Sequence, residues 1–200
     1  FNNAGNITLN GKADVFAAVN SESSGSFSII NDGSIKLAGE NQAGIAFGQS
    51  YTKGEILLNK PITITGKGST GVYLAHSVDL DGGETRGVST AGNQVTTFPT
   101  TTRESILNVD ITSGTKNSGL FFDADGKIFN IANSTIQLSS ADGNNAGIFL
   151  QKGILNIKNG KNGTAYKNNV NLTGGKENVG IYVDNSGVAG NKVAKLVAEG

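Results

Sequence analysis

The 200-residue sequence contains no cysteine, one histidine, two prolines and no run of 18 or more apolar residues. Without cysteine there is no disulfide, so a secreted fold of this sequence must be stabilised by another route, and stacked repeats are one such route. With His76 as the sole imidazole and no thiol, a zinc or other transition-metal centre is not expected, nor is any cofactor. The missing apolar run argues against a membrane-spanning helix, and the opening FNNAGNITLNG lacks the charged start and apolar stretch of a signal peptide. Sixteen basic and sixteen acidic residues are interspersed to a formal net charge of zero, leaving no basic stripe to neutralise phosphates. Nucleic acid is therefore not an expected partner.

What is present is turn chemistry at short intervals. Glycine occurs 29 times, asparagine about two dozen times, and only 36% of residues are hydrophobic, so apolar side chains have to be used sparingly. The stretch NNAGIFLQKGILNIKNG (144–160) places two short apolar runs, Ile148 to Leu150 and Ile154 to Ile157, on either side of a three-residue break. Runs this short and rich in β-branched and aromatic residues read as strands. Sustained helical periodicity is absent, and Val193 to Val197 reads as one more strand; the chain is expected to be all-β.

The pattern repeats. Glycine followed by three apolar residues recurs at Gly44, Gly71, Gly119, Gly147 and Gly180, spaced 27, 48, 28 and 33 residues apart, with a degenerate copy at Val15 to Val19. Between copies come two further strand-like runs in fixed order. The first is Phe27 to Ile30, Ile56 to Leu58, Val78 to Leu80, Ile128 to Ile131 and Ile154 to Ile157; the second alternates, as in Ile7-Thr8-Leu9, Ile35-Lys36-Leu37, Ile62-Thr63-Ile64, Val109-Asp110-Ile111, Ile136-Gln137-Leu138 and Val170-Asn171-Leu172. Three short strands per repeat, about six times over, is the signature of a solenoid whose turns bury one another. The expected fold is a right-handed parallel β-helix of triangular section, the hand resting on the usual right-handed connection of parallel strands. Ile45, Val72, Leu120, Ile148 and Ile181 should then stand in one column.

Two gaps exceed the period. The segments 81–105 and 158–169 are expected as loop excursions from one corner of an otherwise single 1–200 β-helix segment. The larger carries both arginines of the chain, Arg86 and Arg103, together with Phe98; the smaller carries Lys161, Tyr166 and Lys167. Arginine and aromatic side chains are what interfaces use as anchors, so Arg86, Phe98, Arg103, Tyr166 and Lys167 are the candidate ligand-binding residues.

Catalytic signatures are sparse. His76 sits in Ala75-His76-Ser77-Val78-Asp79 without a nucleophile elbow and reads as a corner residue. Asp123-Ala124-Asp125-Gly126 starts like a calcium loop, but Ser134 stands where the closing glutamate belongs, which leaves Asp123 and Asp125 a weak calcium candidate. The acids Asp79, Asp81 and Glu84 form the nearest cluster for a β-helical polysaccharide lyase or hydrolase. Thr8 and Thr63 do not extend into a threonine array, because Lys36, Asp110, Gln137 and Asn171 occupy the matching positions. Sequons begin at Asn6, Asn133, Asn162 and Asn171, as chance supplies in so asparagine-rich a chain. No enzyme is expected.

Read together, AGIAFG, TGVYLA, SGLFFD, AGIFLQ and VGIYVD resemble the passenger repeats of large type V autotransporter adhesins, and most closely the giant fusobacterial outer-membrane autotransporters. The likeness covers most of the chain but neither long gap. It implies a rod outside a Gram-negative cell, anchored through a C-terminal outer-membrane β-barrel that this segment lacks, and contacting a surface protein or glycan of a host or partner bacterium. The alternatives are the polysaccharide-cleaving enzyme and a spacer that binds nothing.

Overall fold

A computed structural model describes residues 1–19, 26–47, 53–75, 105–140, 142–161, 164–184 and 194–198. The described chain is all-β, its rung strands parallel, and no described helix is long and apolar enough to cross a membrane. Strands fall on three faces visited in fixed order. The first face holds β1 (Asn2–Asn3), β4 (Ser26–Asn31) and β7 (Lys53–Leu58). The second holds β2 (Ile7–Leu9), β5 (Ile35–Leu37), β8 (Ile62–Ile64), β10 (Asn108–Ile111), β12 (Thr135–Leu138) and β16 (Asn169–Leu172). The third holds β3 (Val15–Val19), β6 (Ala43–Phe47), β9 (Thr70–Ala75) and β17 (Val179–Val183), with the leading parts of β11 (Ser118–Ile131) and β13 (Ala146–Ile157) between β9 and β17. The trailing parts of β11 and β13 turn the corner onto the first face, where β18 (Ala194–Ala198) pairs with β13. This order is compatible with a β-solenoid.

Register explains why so little apolar residue suffices. Ile45 pairs with Val72, Val72 with Leu120, Leu120 with Ile148 and Ile148 with Ile181, so the glycine-aligned residues stand in one column. Ile7, Ile35, Ile62, Val109, Ile136 and Val170 make a second column on the alternating face. Their outward neighbours Thr8, Lys36, Thr63, Asp110, Gln137 and Asn171 make a mixed polar row. A single core cluster draws inward residues from all three faces, among them Ile29, Ile62 and Val72. Each rung contributes only a few side chains because those of the next rung, about 4.8 Å away, complete their burial.

The recurring glycine has a steric cause. A Cβ on Gly119 would lie 2.6 Å from the carbonyl oxygen of Gly147 and 2.6 Å from Ile136 Cγ2, and Gly44, Gly71 and Gly147 face the equivalent carbonyl at 2.6 to 2.7 Å. The strand bends here toward the core and leaves room only for hydrogen. Phe16 holds this position in the degenerate copy, its ring edge-on to Phe1 at 5.6 Å.

One expectation is corrected. The first-face position assigned to Val78 to Leu80 is taken by Ser105, which bridges to Ile131, and Ile106, which bridges to Leu57, with Leu107 fully buried beside them. Ser105 thus belongs to a rung. Both tripeptides are short and flanked by polar residues, and pattern alone does not separate them. Residues 76–104, which include Val78 to Leu80, lie outside the described residues; in chain order they fall between β9 and Ser105, while 158–169 fall between β13 and β16.

Candidate interaction surface

Of the expected anchors, Arg86, Phe98 and Arg103 lie outside the described residues, as do His76, Asp79, Asp81 and Glu84. Tyr166 and Lys167 are described. They follow a small antiparallel hairpin, β14 (Gly160–Lys161) with β15 (Thr164–Ala165), that grows from the corner after Ile157. The hairpin root is tied down at three points. Tyr166 N donates to Asn159 O at 2.7 Å, Lys167 N to Asn133 Oδ1 at 3.0 Å, and Asn168 Nδ2 to Lys158 O at 2.7 Å. Tyr166 is half-buried and Lys167 exposed, so this corner offers a ring edge and a solvated cation on a fixed base. The chain rejoins the solenoid in register, Asn169 opposite Thr135.

Of the weak calcium candidate, only the Asp123 side chain is described. Asp123 Oδ1 lies 3.3 Å from Lys152 Nζ in an ion pair across the bend of β11 and β13, and the side chain of Asp125 lies outside the described residues. That oxygen is buried and accepts no well-aligned hydrogen bond, which makes the contact electrostatic rather than directional. Among the described residues no three His, Cys, Asp or Glu side chains converge to hold a metal ion.

Sequence reading missed an aromatic row on the outer side of the third face. Tyr73, Phe121, Phe149 and Tyr182 stand in register on β9, β11, β13 and β17. Tyr73 and Phe121 stack nearly parallel at 5.1 Å, and Phe121 with Phe149 and Phe149 with Tyr182 meet edge-on at 5.1 and 5.0 Å. Each such pair contributes about 0.5–1.5 kcal/mol beyond burial. Tyr73 and Phe121 are buried in a second cluster with Ala43 and Ala46, whereas Tyr182 is 45% exposed. The row thus ends in an accessible phenol that can stack on a sugar ring or an apolar side chain. The sequence signal was the middle residue of each Gly-apolar triplet: with its two neighbours turned inward, it has to face out.

Asparagine forms a second row at the corner leading into the third face. Gln42 N donates to Ser69 Oγ, Ser69 N to Asn117 Oδ1, Asn117 N to Asn145 Oδ1 and Asn145 N to Asn178 Oδ1, at 2.8 to 3.2 Å. The residue before each member, and before Asp14, has positive φ: Ala13, Asn41, Gly68, Lys116, Asn144 and Glu177. A left-handed residue turns the chain sharply, and the following side chain satisfies the donor that the turn exposes.

On the second face Asp110 lies between Thr63 and Gln137, and its Oδ1 is buried with no hydrogen bond. Burial pushes its carboxyl above the usual aspartate value, partly opposed by a hydrogen bond from Ser139.

Comparison with protein-family models, curated proteins and solved structures finds no match for this chain.

Proposed function

We propose that the chain is a non-catalytic display and adhesion segment: a right-handed, three-sided β-helix from the passenger of a Gram-negative autotransporter, contacting a host or partner-cell protein or glycan through its corner excursions. The observation that carries this reading is how the described excursion is built. Residues 158–169 leave the rung, form a pinned hairpin that presents Tyr166 and Lys167, and return without disturbing the inward columns. A scaffold that tolerates insertions at corners while its interior stays constant is suited to presenting contact residues. The hand follows from the crossover rule for parallel strands. The cell-surface location and outer-membrane anchor follow from the repeat resemblance, and an absence of cysteine suits a chain that crosses the outer membrane unfolded.

The test is attachment. Beads coated with the chain are compared with beads carrying a variant in which residues 84–103 are replaced by a short glycine linker, and with a Tyr166→Ala/Lys167→Ala variant, on mammalian and bacterial cells. Loss of attachment by folded variants supports adhesion through the corners. Undiminished attachment by both removes the excursions from the account, and no attachment by the parent chain favours a spacer.

A further inference from the structure

The interspersion of charge breaks at one place. No residue from Gly143 to Lys176 is acidic, while that stretch holds Lys152, Lys158, Lys161, Lys167 and Lys176. The fold then sorts these lysines. Lys152 is paired with Asp123 at the bend of β13, and Lys176 stands next to Glu177 at the corner leading into the third face. Lys158, Lys161 and Lys167 all fall on the hairpin excursion between β13 and β16.

Ties at the root bring the two ends of that excursion together. Asn168 Nδ2 donates to Lys158 O at 2.7 Å and Tyr166 N to Asn159 O at 2.7 Å, so Lys158 at the entry and Tyr166 and Lys167 at the exit share one root. The adjoining corner, Ala132-Asn133-Ser134, is uncharged; its Asn133 Oδ1 accepts from Lys167 N and its Ser134 N donates to Asn168 Oδ1. Among the described residues the nearest acid at this series of corners is Asp32, four rungs away. That is roughly 19 Å, beyond the screening length of about 8 Å at physiological salt. Glu199 follows Ala198, the partner of Ile157, and lies outside the described residues. Besides Ala165 and Tyr166 the excursion has no apolar side chain, so it lacks the apolar centre that a protein partner would require.

We propose that the hairpin corner binds an acidic glycan, one whose sugar rings carry carboxylate or sulfate groups. This rests on the reading of the corner as an adhesion surface and selects among the ligands which that reading allows. The lysine ammonium groups donate charge-assisted hydrogen bonds to the anionic group, and the half-buried Tyr166 ring gives the sugar an apolar edge to pack against. The pinned root holds these groups together before binding, which lowers the cost of ordering them.

Surface plasmon resonance over immobilised hyaluronate, heparin and neutral dextran tests this, with polyacrylate as a polyanion that has no sugar ring. The chain should bind at least one of the two acidic polysaccharides, more weakly as salt is raised, bind polyacrylate less well and leave dextran unbound. Lys158→Gln/Lys167→Gln should weaken binding about threefold to thirtyfold. Tyr166→Ala should weaken binding to the polysaccharide and leave polyacrylate unaffected. The single variants Lys158→Gln and Lys167→Gln keep the test decisive if the double variant misfolds. No binding to either acidic polysaccharide overturns the proposal, as does equal binding to polyacrylate or binding that the folded lysine variants leave unchanged. Cell attachment that survives enzymatic removal of acidic glycans but still needs Tyr166 and Lys167 overturns the acidic ligand and leaves adhesion standing. Polysaccharide binding with the expected variant losses, but without attachment to any cell, supports the acidic-glycan site and removes the adhesion reading.

Discussion

Gly119→Ala and Gly180→Ala add the same methyl group to the same column, and the structure assigns them opposite signs. At Gly119 the new carbon would lie 2.6 Å from the Gly147 carbonyl oxygen and 2.6 Å from a methyl of buried Ile136. Ordinary contact needs close to another ångström, and neither neighbour is free to yield: the carbonyl belongs to a paired strand and Ile136 is packed on every side. Overpacking of this kind costs about 1–3 kcal/mol. The φ of Gly119 is not positive, so alanine is conformationally acceptable and restricts the unfolded chain, returning about 0.4–1 kcal/mol. The net expectation is a loss of about 1–2 kcal/mol. At Gly180 the nearest atom is Leu172 Cδ1 at 3.1 Å, the tip of a half-exposed side chain that can turn away, and no backbone of the described residues lies in reach. Only the unfolded-state term remains, a gain of up to about 1 kcal/mol. Urea unfolding of both variants measures the difference, with amide exchange to show whether a single rung has opened. Equal effects at the two sites, or a neutral Gly119→Ala, would refute the steric account of the glycine column.

Three further outcomes are expected. Lys116 adopts φ 59° at a turn where Gly68 adopts φ 65°, so Lys116→Gly should stabilise by about 0.5–1 kcal/mol in thermal or urea unfolding while Gly68→Ala, whose Cβ would also collide with Asn41 Oδ1, should destabilise by about 1–2 kcal/mol. Asn145→Ala removes the acceptor for Asn117 N and the donor to Gly114 O and Asp142 O, leaving buried groups unpaired at a cost of about 2–4 kcal/mol by the same assays. For Asp110 the folded-state pKa lies above the ordinary 3.8, so the folded chain holds that proton more tightly than the unfolded chain. Stability associated with Asp110 should be complete below pH 3.8 and fall as pH rises through the folded pKa; Asp110→Asn should remove that slope and be more stable than the parent at neutral pH.

The rung order was legible because the chain repeats it and because a strand facing a narrow core needs alternation or a glycine bend. Ile62-Thr63-Ile64 shows its inward and outward sides without a structure. The rung that contains residues 105–107 was not legible, since Val78-Asp79-Leu80 and Ser105-Ile106-Leu107 have comparable polarity and only pairing with Leu57 and Ile131 decides between them. Nor were the left-handed corners, because Ala13, Lys116 and Glu177 carry none of the glycine or asparagine signal that marks such turns elsewhere. The asparagine row was half visible: Asn117, Asn145 and Asn178 each stand two residues before a column glycine, but Gln42 and Ser69 serve in the same place with different side chains. Of the expected anchors, only Tyr166 and Lys167 fall among the described residues, and the aromatic row was passed over because Tyr73, Phe121 and Phe149 stand inside apolar triplets, where no polar neighbour marks the outward side.

The central claim is that equivalent residues advance by one strand spacing per repeat along a common axis. Pairs of nitroxide labels on cysteines, introduced at the outward positions Thr8 with Gln137 and Thr8 with Asn171 in a chain that has no other cysteine, measure this by pulsed electron spin resonance. Four and five rungs of about 4.8 Å predict separations near 19 and 24 Å, differing by one spacing. Separations that are equal, or that shrink from Gln137 to Asn171, would contradict the stacked arrangement.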